Sequence, residues 1–193
     1  MRRWMLAALT GAALTMAAMP AQAQGAWKSY IVKELGFSFM APAEMKAELG
    51  TFRGAIAGPR QTMVFKGTAD NIEYKVTVMS FMQAQAEGAT ILGERTFMFQ
   101  ENRTIVMDTF ARVEPGKDSV YGRKMVVDLA DNKGRATGAF FFVKGKLIAL
   151  EATVLSPSGD SLSPDPARFV DSIAFNPSRA GEGAIALQPP KLD

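Results

Sequence analysis

The chain has 193 residues and contains no histidine and no cysteine, which removes imidazole proton transfer, thiol nucleophiles, disulfides and the commonest zinc ligands. Its 22 Lys+Arg and 19 Asp+Glu give a formal charge of +3. Setting aside Arg2 and Arg3 leaves 20 basic against 19 acidic residues, without the basic footprint that nucleic acid or an anionic membrane surface requires.

The first residues read as a secretory signal peptide: a basic start at Arg2 and Arg3, an apolar run from Trp4 to Met19, and the small-residue triplet Ala21-Gln22-Ala23 behind Pro20. The run is shorter than the ~20 apolar residues of a membrane anchor, so cleavage is expected between Ala23 and Gln24. Lipoprotein processing needs a cysteine after the cut, and none exists. No later stretch approaches spanning length, so the mature chain is expected to be soluble, in the periplasm or secreted. Its 170 residues (193 less 23) suit one domain that buries roughly 70% of its unfolded surface. The expected division is residues 1–23 as signal, 24–175 as a single α+β domain and 176–193 as an extended Pro/Gly-rich tail.

Tyr30-Ile31-Val32 and Phe37-Ser38-Phe39-Met40 flank Glu34-Leu35-Gly36 and predict a strand pair closed by Pro42. A polar stretch then runs to Leu49. Thr51–Ala57 and Arg60–Lys66 read as strands about a Gly58-Pro59 turn. From Ile72 to Met82 the residues Ile72, Tyr74, Val76 and Val78 alternate with Glu73, Lys75 and Thr77, the signature of a half-buried strand. Ala84 to about Asn102 predicts a helix, with Ile91, Leu92, Met98 and Phe99 near helical spacing.

A four-strand meander follows: 104–113, 119–129, 135–144 and 147–155, with turns at Glu114-Pro115-Gly116-Lys117, Asp131-Asn132-Lys133-Gly134 and Lys144-Gly145-Lys146. Ala139-Phe140-Phe141-Phe142-Val143 is apolar on both faces, which predicts a central strand covered above and below. After a loop containing Pro157, Gly159 and Pro164, the residues Ala167, Phe169, Val170, Ile173 and Ala174 predict a short helix starting near Pro166. The fold class is therefore α+β, an antiparallel sheet flanked by helices.

No Gly-x-Ser-x-Gly elbow or Ser-x-x-Lys pair occurs after residue 23. Gly181-Glu182-Gly183-Ala184-Ile185-Ala186 matches a dinucleotide fingerprint only in form, since it follows a helix and has no room for another. Asp128 and Asp131-Asn132 lack the spacing and closing Glu of a calcium loop and read as a hairpin turn. Asn102-Arg103-Thr104 is a sequon in form only. Met79 and Met82 are expected in the core rather than on a metal. Glu151, between Leu150 and Ala152 in an apolar strand, is the acidic residue expected to be buried and paired with an Arg or Lys.

Two patches carry a family resemblance. Gly36-Phe37-Ser38-Phe39-Met40-Ala41-Pro42 resembles the opening strand of PsbP-like proteins, and Ala167-Arg168-Phe169-Val170-Asp171-Ser172-Ile173-Ala174-Phe175 resembles their closing helix. The resemblance implies an antiparallel sheet sandwiched by helices and a non-catalytic role in binding other proteins or assisting an assembly. It transfers no functional residue, so catalytic, cofactor and metal residues are expected to be none.

The function expected is that of a periplasmic or secreted binding or accessory domain, acting on a protein partner or an apolar ligand through a surface or a groove between helix and sheet. The alternative is a carboxylate-based hydrolase drawing on Glu73, Asp108, Asp128 or Glu151, which requires two carboxyl groups within about 5–10 Å of each other. A third reading has Ala180–Asp193 docking on a partner.

Overall fold

The computed structural model describes residues 26–56, 58–81, 87–114, 119–155 and 159–191. The expected cleavage point at Ala23 and Gln24, Met82, the turn residues Pro115-Gly116-Lys117 and Pro157 lie outside the described residues.

The strands are β1 (Lys28–Val32), β2 (Phe37–Ala41), β3 (Lys46–Gly54), β4 (Gly58–Ala69), β5 (Ile72–Ser80), β6 (Thr104–Val113), β7 (Val120–Asp128), β8 (Gly134–Val143), β9 (Lys146–Leu155) and β10 (Ile185–Ala186). The helices are α1 (Gly88–Gln100) and α2 (Asp165–Asp171), with a 3-10 turn at Pro177–Ala180. Seven strands form one antiparallel sheet in the order β3-β4-β5-β9-β8-β7-β6. A second sheet of three strands has the order β10-β1-β2. This is the α+β architecture expected, with the meander β6 to β9 in place.

Period-two alternation decides which face each side chain joins. Tyr74, Val76, Val78, Phe141, Ile148, Leu150, Ala152 and Val154 enter one core with Phe37, Phe39 and Phe169, under α2 and the small sheet. Met125, Val127, Ala136, Phe140 and Ala149 turn the other way and meet Phe99 of α1. Strand β8 therefore places Phe140 and Phe141 in opposite cores, each almost fully buried, which is the doubly covered central strand that its composition demands.

On the α2 face the ring of Phe169 meets Tyr74 edge-on at 5.1 Å and Phe39 at 6.1 Å. Arg168, one residue earlier, stacks its guanidinium 4.1 Å from the Trp27 ring. On the opposite face α1 starts at Gly88, where a Cβ would stand 2.4 Å from the Phe142 ring. The missing side chain lets the helix approach the sheet. Of the flagged methionines, Met79 is fully buried beside Phe81, Ile91 and Leu147.

Several boundaries differ from those the sequence suggests. Strand β3 begins at Lys46, inside the polar stretch, because an edge strand with exposed faces needs no apolar alternation. The β3–β4 turn lies at Ala55-Ile56, and Gly58 and Pro59 belong to β4 opposite Gly54 and Arg53. Strand β4 runs on to a two-residue hairpin at Asp70-Asn71, whose φ angles of 51° and 59° suit these short polar side chains. Residues after Phe175 lie along the domain: the Leu187 N–H donates to the Ile31 carbonyl at 2.9 Å, and β10 pairs in parallel with β1.

Candidate functional site

Helix α1 packs over β7, β8 and β9 and leaves part of β3, β4 and β5 on the same face uncovered. The opening is a groove of about 420 Å³, within the size range of small-molecule sites. Phe52, Val64, Thr77, Met79 and Met98 line it, with Lys75 and Arg95 alongside. Gly50 lies in its wall, where a Cβ would stand 2.8 Å from both Thr62 Oγ1 and Val64 Cγ2. A side chain at that position would crowd the groove from β3.

Beneath the groove lies an ionic triad. Lys75 on β5 and Glu151 on β9 are register partners, and Lys75 Nζ lies 2.6 Å from Glu151 Oε2. Arg95 of α1 donates to the other carboxylate oxygen, Oε1, while its guanidinium lies 5.2 Å from the Phe140 ring centre. The Glu151 side chain is 5% exposed, against 13% for Arg95 and 34% for Lys75. Burial alone would push the Glu151 carboxyl up, but the charges of Arg95 and Lys75 overcome this and hold it below the usual carboxylate range. Glu151 is thus a fixed anion, and the two cations exceed it by one charge at the groove wall.

This placement agrees with the expectation that Glu151 is buried and paired with Arg or Lys. The partners could not be read beforehand, because they depend on β5 lying beside β9 and on the rotation of α1. Next to Arg95 in the middle of the helix, Glu94, nearly buried, accepts the Ile56 N–H at 2.5 Å and fastens α1 to the β3–β4 turn.

Two of the other carboxylates considered for hydrolysis, Asp108 and Asp128, do not join Glu151. Asp108 lies on β6, separated from β9 by β7 and β8, or roughly 14 Å at normal strand spacing. Arg123 holds it with two hydrogen bonds of 2.8 and 2.5 Å. Asp128 ends β7 on the α2 face and is bound by Arg135 Nε at 2.7 Å. That hydrogen bond lowers its pKa. Glu73 shares the α1 face of β5 with Lys75 and, opposite Thr153, is the diagonal neighbour of Glu151 at roughly 7–8 Å, but it is exposed, while Glu151 is already held by Lys75 and Arg95. Among the described residues no group of three or more acidic side chains is placed to hold a metal ion.

A larger cleft of about 620 Å³ opens at one end of the sheet between Lys33, Glu114, Lys144, Lys146 and Asn176. Turns and the start of the C-terminal segment wall it, and Glu114 is engaged there by the Asn176 N–H at 3.2 Å. The groove beside α1 is the better candidate, since rigid strands and a helix hold its walls.

No protein-family model and no curated protein matches the chain. Among solved structures it is similar to the solution structure of cyanobacterial PsbP (CyanoP) from Synechocystis sp. PCC 6803, at 15% sequence identity and a TM-score of 0.48, covering 82% of this chain and 98% of that chain.

Proposed function

We propose that the chain is an exported, non-catalytic binding domain that holds an amphiphile with an acidic end in the groove between α1 and strands β3, β4 and β5. The observation that carries this reading is the pairing of an apolar lining, Phe52, Val64, Met79 and Met98, with a wall where Lys75 and Arg95 outnumber the buried Glu151. An alkyl body gains from leaving water on the first, and a carboxylate or phosphate gains from the second. Catalysis is not part of the proposal, because three of the four carboxylates considered are committed to ion pairs and the fourth, Glu73, is exposed on the strand beside Glu151. Export rests on residues 1–23 acting as a signal peptide cut between Ala23 and Gln24, with residues 24–175 as the working domain. No helix among the described residues is long and apolar enough to cross a membrane.

Titration calorimetry with decanoate and with decylammonium tests the proposal. Decanoate is expected to bind saturably and more weakly as salt rises, with decylammonium far weaker and Thr77→Phe abolishing uptake by filling the groove. Equal binding of the two amphiphiles, or decanoate binding that survives Thr77→Phe, would refute it.

A further inference from the structure

Strand β6 closes one end of the large sheet, and among the described residues no strand pairs with its outer side. Ile105, Val106, Met107 and Phe110 are exposed, Phe110 to 85%, and Tyr121 beside it on β7 to 62%. An apolar, unpaired edge is a template for another strand. The opposite edge differs, since β3 carries Lys46, Glu48 and Arg53, and Glu48 is tied to Lys66 at 2.8 Å. On β6 the charges are confined to Asp108 and Arg112, set among the exposed apolar side chains.

We propose that β6 pairs antiparallel with β6 of a second copy of this chain, about a two-fold axis at Phe110. The shape of the strand supplies the first reason. A register shift between Ile105 and Met107 marks a bulge at Val106, so the regular stretch is Met107–Val113, whose midpoint is Phe110. The second reason is charge. A two-fold axis perpendicular to a sheet keeps each side chain on its own face, so only registers centred on a residue are allowed.

Centred on Phe110, the register sets Asp108 opposite Arg112 of the second copy, twice over by symmetry, and Met107 opposite Val113. Asp108, Phe110 and Arg112 share the α1 face, as their partners Met125, Arg123 and Tyr121 show. The two Phe110 rings meet on the axis, each already flanked by its own Arg123 at 5.9 Å. The neighbouring registers are worse. Centring on Asp108 or on Arg112 opposes like charges, centring on Ala111 sets Asp108 against Glu114, and centring on Thr109 leaves Asp108 against Phe110. An edge complementary to itself in one register fits a second copy better than an unrelated strand.

Sedimentation equilibrium on the purified protein, extended into the high micromolar range, tests this. The dimer is expected, Arg112→Asp is expected to weaken it by at least about tenfold, and Asp108→Arg combined with Arg112→Asp is expected to restore it. Because the chain has no cysteine, Phe110→Cys is expected to form a disulfide-linked dimer under mild oxidation, while Leu49→Cys on the β3 edge is not. The cross-link reads the register even if the charge variants fold poorly. A monomer at every concentration, a dimer indifferent to the charge exchange, or equal cross-linking at both edges would overturn the proposal.

Discussion

Lys75 and Glu151 face each other across β5 and β9 with Nζ and Oε2 2.6 Å apart, and Arg95 reaches the same carboxylate from α1. One buried anion therefore joins two central strands to the helix that walls the groove. Removing it leaves the mostly buried Arg95 and the partly exposed Lys75 without their anion, which is worse than losing a pair at the surface. Glu151→Gln is expected to lower the unfolding free energy by about 2–4 kcal/mol, the range allowing for the partial exposure of Lys75. Urea unfolding measures this, and a loss below about 0.5 kcal/mol would show that the triad does not hold the helix.

The same carboxylate sets a pH dependence. Desolvation raises its pKa, but Arg95 and Lys75 lower it by more, so in the folded protein it stays ionised below the ordinary glutamate value. An unfolded glutamate takes up its proton near about pH 4.3. The unfolded state then binds more protons, and the stability that Glu151 contributes is complete above that pH and lost as the pH falls toward the depressed folded value. The stability gap between the wild type and Glu151→Gln is therefore expected to narrow between neutral pH and about pH 3.5. Urea midpoints for both proteins at the two pH values check this, and a constant gap would contradict it.

Two buried tyrosines should respond in opposite ways to losing their hydroxyls. The Tyr30 O–H donates to the Ala43 carbonyl at 2.7 Å. The buried Tyr74 hydroxyl has no hydrogen-bond partner among the described residues, and burial, with Asp165 and Asp70 near, raises its pKa well above the usual phenol value. Tyr30→Phe is expected to cost about 1–2 kcal/mol, whereas Tyr74→Phe is expected to be neutral or to stabilise by up to about 1 kcal/mol. Thermal or urea unfolding of the two variants distinguishes them.

Phe169 is the anchor of α2, fully buried against Tyr74 and Phe39. Phe169→Ala is expected to cost about 3–5 kcal/mol, since seven helical residues cannot close over the space left. Phe97→Ala, on the outer side of α1 and 61% exposed, is expected to cost less than about 0.5 kcal/mol. Comparable losses at the two positions, in the same urea series, would contradict the packing described.

Much of the fold was legible wherever one face of an element is dry. The alternation of Ile72, Tyr74, Val76 and Val78, the doubly apolar Phe140-Phe141-Phe142 and the turn-bounded meander all follow from burial. Glu151 stood out because a carboxylate in an apolar strand needs a cation. Strand β3 was only half legible, because at Lys46–Leu49 each side chain is exposed and leaves no period. The Asp70-Asn71 hairpin did carry a local signal, two residues tolerant of positive φ between two strands. The groove carried none: it depends on Gly50 facing Thr62 across β3 and β4, and on which strands α1 leaves bare, and both are long-range outcomes.

Amide chemical shifts of the isotopically labelled protein, recorded as decanoate is added, put the groove to its most direct test. Saturable shifts are expected at Phe52, Val64, Thr77 and Met98, with Tyr30, Phe37 and Val170 on the α2 face unmoved. Shifts confined to the α2 face, or no saturable shift at all, would contradict the assignment of the groove as a binding site.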